Sequence, residues 1–94
     1  MRQDRVAPQG LRGYLDDFVA SREGTQAWIE PATALNKTSL LLVAGSGEWT
    51  RRAVPNTEWA VEFARRHRIP CHQAGLVPYP QRMRDWDTGH RDPQ

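Results

Sequence analysis

The chain has 94 residues, which is room for a single domain, since domains usually contain about 100 to 200 residues. Hydrophobic residues make up 38% of it, enough for one core, and the formal net charge is only +2. This composition excludes a wholly disordered chain. The longest apolar run, Leu40 to Ala44, is far shorter than the roughly 18 residues of a membrane-spanning helix. A single cysteine, Cys71, and the lack of a signal-peptide pattern predict a cytoplasmic protein without membrane contact.

The first predicted element is an amphipathic helix near the N-terminus. Its apolar residues recur at helical intervals, with charged residues on the opposite side. They are Leu11, Tyr14, Leu15, Phe18 and Val19. Gly24 is expected to stop this helix.

Three strands are predicted to follow, between Thr25 and Val54. The first contains Trp28 and Ile29, and the nearby Pro31 favours an edge strand or a bulge. After the turn at Asn36-Lys37-Thr38, the aliphatic run from Ser39 to Ala44 is typical of a central strand buried on both faces.

The third strand is predicted from Glu48 to Val54, after a hairpin turn at Gly45-Ser46-Gly47. Alternation places Trp49, Arg51 and Ala53 on one face and the residues between them on the other. Together the three strands form an antiparallel meander.

The main helix is predicted from about Asn56 to Arg68, where Asn56 or Thr57 caps its first turn and Pro70 follows its end. Ala74 to Val77 is a candidate for a short fourth strand. Pro80 could open a last turn of helix that carries Met83 and Trp86 on one face.

These elements predict an α+β fold in a small single domain. A three-stranded antiparallel sheet carries the main helix on one face, together with the N-terminal helix and an extended arm that ends near Trp86. The domain covers residues 11–86, with flexible tails at 1–10 and 87–94. The predicted core consists of Ile29, Leu41, Val43, Trp59 and Phe63.

No pattern in the chain predicts a catalytic site, a metal ion or a cofactor. The glycines of Gly45-Ser46-Gly47 lack the third glycine of a dinucleotide loop, since Thr50 stands in its place, and the Gly-Lys-Ser/Thr ending of a Walker A loop is absent. Cys71 and His72 are adjacent, and in an extended segment their side chains point to opposite faces. We therefore favour a non-enzymatic protein.

Arginine and aromatic residues concentrate in the second half of the chain. Between Trp49 and Arg84 there are seven arginines and two acids, whereas Met1 to Gly47 has five basic and five acidic residues. Arginines with aromatics suit phosphate contacts and base stacking, so the first hypothesis is a small non-enzymatic nucleic-acid-binding module, for RNA rather than DNA. The predicted phosphate contacts are Arg51, Arg52, Arg82 and Arg84, and the predicted stacking residues are Trp49 and Tyr79.

The register of the third strand decides whether Arg51 or Arg52 points outward. If these arginines scatter, or pair with acids such as Glu30, Glu48 and Glu58, the charge indicates only a solvated surface.

A protein-interaction module is the alternative interpretation of the same residues, because Trp, Tyr and Arg also dominate protein–protein interfaces. In this hypothesis the arm from Pro78 to Trp86 docks on a protein partner or on a second copy of the chain. The docking residues would be Tyr79, Gln81, Met83 and Trp86. A small oxidoreductase-type accessory protein that uses Cys71 is the third and least favoured hypothesis.

Three features together resemble a short actinobacterial protein family of unestablished role. They are Gly47-Glu48-Trp49-Thr50-Arg51-Arg52, the Ile69-Pro70 that follows a basic helix, and Tyr79-Pro80-Gln81-Arg82-Met83-Arg84-Asp85-Trp86. The resemblance covers about Trp28 to Trp86, and the similar proteins tend to have Tyr at the position of Trp86 and a basic residue at that of Ala53. It implies a bacterial, cytoplasmic setting and draws attention to Gln81, Arg82 and Arg84. Some of those proteins carry an oxidoreductase label, for which the present chain has neither a cofactor fingerprint nor a redox cysteine pair.

Overall fold

The computed structural model describes residues 10–89, which form one α+β domain with helices on both faces of a four-stranded mixed sheet. The elements are α1 (Leu11–Ala20), β1 (Gln26–Glu30), β2 (Ser39–Val43), β3 (Trp49–Ala53), α2 (Thr57–His67), β4 (Cys71–Gln73) and α3 (Gln81–Gly89). Within these residues, no helix has both the length and the apolar character needed to cross a bilayer. The three helices and four strands confirm the predicted α+β class.

The sheet has the strand order β3-β2-β1-β4. β1 pairs with β2 and β2 pairs with β3, both antiparallel, so the predicted meander is present. The prediction of only three antiparallel strands is wrong, because β4 adds to β1 in parallel. The chain can reach this parallel position because α2 carries it back across one face of the sheet between β3 and β4.

β1 is an inner strand, not the edge strand that Pro31 suggested. Pro31 follows Glu30, the last residue of β1, so its missing N–H lies beyond the ladder and interrupts no pairing. The fourth strand is also displaced from its predicted position. It occupies Cys71–Gln73, and residues 74–77 instead form a turn in which Gly75 has a φ of 92°.

The apolar core is divided by the sheet into two clusters. α1 and α2 cover the first face, where Phe63 and Leu15 are completely buried against Leu40 and Leu42. On the second face, Trp28, Leu41 and Val43 pack with Trp49 and with Met83 of α3. β2 therefore has no exposed face, which explains its continuous aliphatic sequence.

The two halves of the predicted core consequently lie on opposite sides of the sheet. Ile29 and Phe63 belong to the first cluster, and Leu41 and Val43 belong to the second. Trp59 is only partly buried, and it packs against the edge of the first cluster.

α2 begins as the sequence predicts. The Asn56 side chain accepts a hydrogen bond from the Trp59 backbone N–H at 2.8 Å, and Glu58 lies in the first turn, where the helix dipole favours an anion. The helix ends at His67, and Arg68 takes a left-handed conformation with a φ of 57°.

The helix that Pro80 was expected to open is present and is longer than one turn, because residues 81–89 form the helix α3. The extended arm therefore ends before Gln81 and does not reach Trp86. Gln81 stabilises the first turn of α3 by donating to Asp85 at 3.2 Å and accepting from Arg84 at 3.1 Å. The helix includes residues 87–89, which the sequence analysis assigned to a tail. The remaining tail residues, 1–9 and 90–94, lie outside the described residues.

Candidate binding cleft

An open cleft of about 710 Å³ lies at one end of the sheet. β1 and β4 are parallel, so their C-terminal ends meet there, and the segments that follow them, 31–38 and 74–80, form the walls. In parallel sheets, ligands commonly bind outside the carboxyl ends of the strands. Ser39 pairs with Glu30 on one side and with Ala53 on the other. Ser39 and Ala53 complete the floor of the cleft.

A hydrogen-bonded group of three side chains occupies the cleft floor. Arg51 donates from Nε and Nη2 to the two carboxylate oxygens of Glu30, at 2.9 Å and 3.0 Å. The Tyr79 hydroxyl donates to Glu30 Oε2 at 2.5 Å. The Arg51 side chain is 39% exposed and that of Glu30 is 21% exposed, so the cation is the outer member of the pair.

The protonation states of this group follow from its contacts. Hydrogen bonding to Glu30 raises the pKa of Arg51, despite some burial, so its positive charge is retained. Burial is the main cause that raises the pKa of Tyr79, and the hydrogen bond to Glu30 adds to it, while Arg51 acts in the opposite direction. At neutral pH Tyr79 is therefore a neutral phenol and Arg51 a charged guanidinium.

Lys37 gives the cleft a second cation. It lies on the cleft wall, and among residues 10–89 its ammonium makes no hydrogen bond or ion pair. Since Arg51 and Glu30 cancel in charge, Lys37 leaves the cleft with a positive balance.

Apolar side chains stand exposed around the same cleft. Leu35 lines it and is 92% exposed. Leu76 is 76% exposed and lies next to the lining, in the turn whose Ala74 and Gly75 form part of the opposite wall. Hydrogen bonds hold this turn in place, because Leu76 N–H donates to Gln73 O at 3.1 Å and Trp28 Nε1 donates to Val77 O at 3.0 Å. The apolar rim is therefore presented on an ordered wall.

The four arginines predicted to bind phosphate do not share one surface. Arg51 and Arg52 lie on opposite faces of β3, as the register requires. Arg52 stacks over the Tyr14 ring of α1, with its guanidinium carbon 4.3 Å from the ring centre. Arg51 pairs with Glu30, one of the acids that the sequence analysis named as a neutralising partner.

The other two arginines belong to α3. Arg82 donates from Nε to the backbone oxygen of Ala44 at 2.8 Å, and its Nη2 is buried without a hydrogen-bond partner among residues 10–89. Arg84 is exposed and bonds to Gln81 of its own helix. Arg82 thus joins the helix to the β2–β3 turn.

The predicted stacking and docking residues are divided between internal and exposed positions. Trp49 Nε1 donates to Asp87 of α3 at 2.8 Å, and Met83 packs on the second cluster. The Trp86 β-carbon approaches Gly47 closely. Gln81 is exposed, and Tyr79 is 36% exposed in the cleft.

Cys71 and His72 point to opposite sides of β4, as expected for a strand. His72 bonds to Gln26 at 2.9 Å and packs against Trp28, with ring centres 4.7 Å apart. Burial of the thiol raises the pKa of Cys71, which disfavours the reactive thiolate. Across residues 10–89, no group of three or more His, Cys, Asp or Glu side chains is placed to hold a metal ion.

Sequence reasoning missed Lys37 and Leu35 as residues that line the cleft, and Leu76 as an exposed residue beside it. Lys37 was assigned only to a turn, and the two leucines were not singled out. The available signal was a leucine placed within a polar turn segment, where no periodic pattern gives it a core to pack against.

Comparison of the chain with protein-family models, with curated proteins and with solved structures finds no match.

Proposed function

We propose that this chain is a non-enzymatic protein-interaction module that binds a peptide segment of a partner protein in the cleft at the ends of β1 and β4. The proposal keeps the interaction hypothesis and moves its surface from the arm to the cleft. Tyr79 belongs to both the arm and the cleft. Met83 packs on the second core cluster and Trp86 lies next to Gly47, so both contact the domain itself.

The exposure of Leu35 is the observation that carries the proposal. A leucine that is 92% exposed gains almost nothing from folding, because its apolar surface stays in water. Single exposed apolar residues are common on protein surfaces. Here Leu35 and Tyr79 line one concave site, and the exposed Leu76 follows Gly75, which lines its opposite wall. A concave site with exposed apolar side chains beside it suits an apolar side chain from a partner.

Nucleic acid fits the cleft less well than a peptide does. Strong binding to a polyanion depends on several cations that contact successive phosphates. Arg52 and Arg82 are directed away from the cleft, Arg51 is paired, and only Lys37 remains unpaired in it. Two exposed leucines add no stacking surface for bases.

Selection from a displayed library of random 12-residue peptides tests the proposal. We expect enriched peptides that bind the wild-type protein and lose at least about tenfold in affinity with Leu35→Ser or Leu76→Ser. Because both leucines are largely exposed, the free energy of unfolding of each variant should differ from that of the wild type by no more than about 0.5 kcal/mol.

Val61→Ser provides the matched control. Val61 is also an exposed apolar residue, at 45%, but it lies on α2, outside the cleft lining. This variant should bind the enriched peptides as the wild type does. Enrichment of no peptide, or of peptides that tolerate both leucine variants, would reject the proposed function.

A further inference from the structure

From the distribution of charge in the cleft we infer the chemistry of its occupant. Given the proposed function, on which this inference rests, we propose that the bound segment is an acidic peptide with an apolar anchor. Its carboxylates bind Lys37 and the outer side of Arg51, and its apolar side chain packs between Leu35 and the turn that carries Leu76.

The carboxylate of Glu30 is already satisfied within the domain. One oxygen accepts from Arg51, and the other accepts from both Arg51 and Tyr79. Its capacity for a further donor from a ligand is therefore small, and a basic peptide would find no other carboxylate among the residues that line the cleft.

Hydrogen-bond donors, by contrast, remain available. Glu30 takes two of the five N–H groups of Arg51, so the exposed part of the guanidinium keeps the others for the Tyr79 oxygen or a ligand. The pair with Glu30 also holds the guanidinium in one orientation, which reduces the entropy lost on binding. The three donors of the Lys37 ammonium lie on the same cleft.

The apolar part of the occupant follows from the rim. An acidic segment alone would leave Leu35 and Leu76 in water, and carboxylate contacts at exposed sites contribute little by themselves. An apolar anchor buries these leucines, while the charges supply orientation and a faster encounter. The two features select a peptide that combines acidic and large apolar residues.

Two matched peptide libraries test this inference. Both contain 12-residue peptides with Leu, Phe and Trp at random positions, and their remaining positions are Asp, Glu, Ser and Gly in one and Lys, Arg, Ser and Gly in the other. We expect the acidic library to supply binders at least about tenfold tighter than the basic library. Raising NaCl from 50 to 500 mM should weaken them, because ions screen exposed charges.

Charge reversal at Lys37 is the decisive variant. Lys37→Glu should weaken the acidic binders about tenfold or more and narrow the difference between the libraries. Arg84→Glu makes the same change of charge at an exposed position of α3 outside the cleft, and it should leave the affinities unchanged.

The possible failures can be told apart. If both libraries bind equally well and still depend on Leu35, the acidic occupant is rejected and the peptide-binding function stands. If a 12-nucleotide oligouridylate displaces the peptides at lower concentration than they bind, and does so through Lys37, the occupant is RNA and both proposals are rejected. If Lys37→Glu and Arg84→Glu weaken the affinity for the acidic peptides equally, recognition of the peptide by charge at the cleft is rejected.

Discussion

A β-carbon on Gly47 would lie 2.0 Å from the backbone oxygen of Arg82. The β2–β3 turn thus touches the backbone of α3 directly, and Gly47 holds a φ of 101° in that contact. The β-carbon of Trp86 lies on the same side, at 3.1 Å from this position. Glycine is required here both by the backbone conformation and by the space available.

Replacement of this glycine should separate the turn from α3. We expect Gly47→Ala to lower the free energy of unfolding by about 2 kcal/mol or more, because the left-handed conformation is strained and the contact is with backbone atoms that cannot rotate away. Urea unfolding followed by circular dichroism measures the loss.

Gly13→Ala is the control for this variant. Gly13 lies within α1, and a β-carbon there would meet no atom within 4 Å. Alanine should stabilise the helix by about 0.5 to 1 kcal/mol, so the two substitutions are expected to have opposite signs. Equal effects of the two would contradict the contact between the turn and α3.

The structural role of Arg82 leads to a second prediction. Arg82→Ala removes the hydrogen bond to Ala44 and should lower the free energy of unfolding by about 1 to 2 kcal/mol. Arg84→Ala, two residues along the same helix, removes an exposed side chain and should change it by no more than about 0.5 kcal/mol. Thermal unfolding of both variants measures the difference. If both lower the free energy of unfolding by the same small amount, the Arg82 side chain lies at the surface.

The cap of α2 gives a third prediction. Asn56→Ala removes the acceptor of the Trp59 N–H and should cost about 1 kcal/mol of stability. The Asn36 side chain makes no hydrogen bond among residues 10–89, so Asn36→Ala should cost clearly less. Chemical unfolding at 25 °C measures the free energy of unfolding of both variants. If Asn36→Ala lowers it as much as Asn56→Ala does, the Asn56 side chain does not cap α2.

The ionisation of Tyr79 gives a fourth prediction. Burial and the contact with Glu30 raise its pKa in the folded state. A raised pKa means that the stabilising contribution of the neutral phenol is complete below the ordinary pKa of about 10, and that it is lost as the pH rises through the higher folded value. Tyrosinate absorbance followed with increasing pH should therefore show a late component.

Three variants assign that component. Tyr79→Phe should remove it, Tyr14→Phe should leave it, and Glu30→Gln should move it to lower pH by removing the neighbouring negative charge. If Tyr79→Phe leaves the late component in place, the hydroxyl is not bonded to Glu30 in solution.

Patterns with a local cause were readable from the sequence. The apolar spacing of α1, the Asn56 cap and the Gly45-Ser46-Gly47 turn each depend on neighbouring residues, and each is present. Alternation along β3 also separated Arg51 from Arg52 correctly, although it could not say which of them faces a partner.

The position of β4 had no local signal. It has three residues, too few for a periodic pattern, and its partner β1 is more than 40 residues away in the sequence. The residues of α3 contain few apolar side chains, so their helical pattern is weak until Met83 finds the second face of the sheet. Sequence patterning cannot supply such distant contacts.

The sequence by itself determined the α+β class, the order of most elements and the local ends of the main helix, since propensity, period and capping act over a few residues. Only the tertiary structure decided that β4 joins β1 in parallel, that α3 covers a second core and that Arg82 is bonded to Ala44 at the β2–β3 turn. It also brought Glu30, Arg51 and Tyr79 together with Lys37 beside exposed leucines. These residues lie on different elements. The antiparallel pairs β1–β2 and β2–β3 bring Arg51 next to Glu30, and the parallel pairing of β4 with β1 brings the segment that carries Tyr79 to the same end of the sheet.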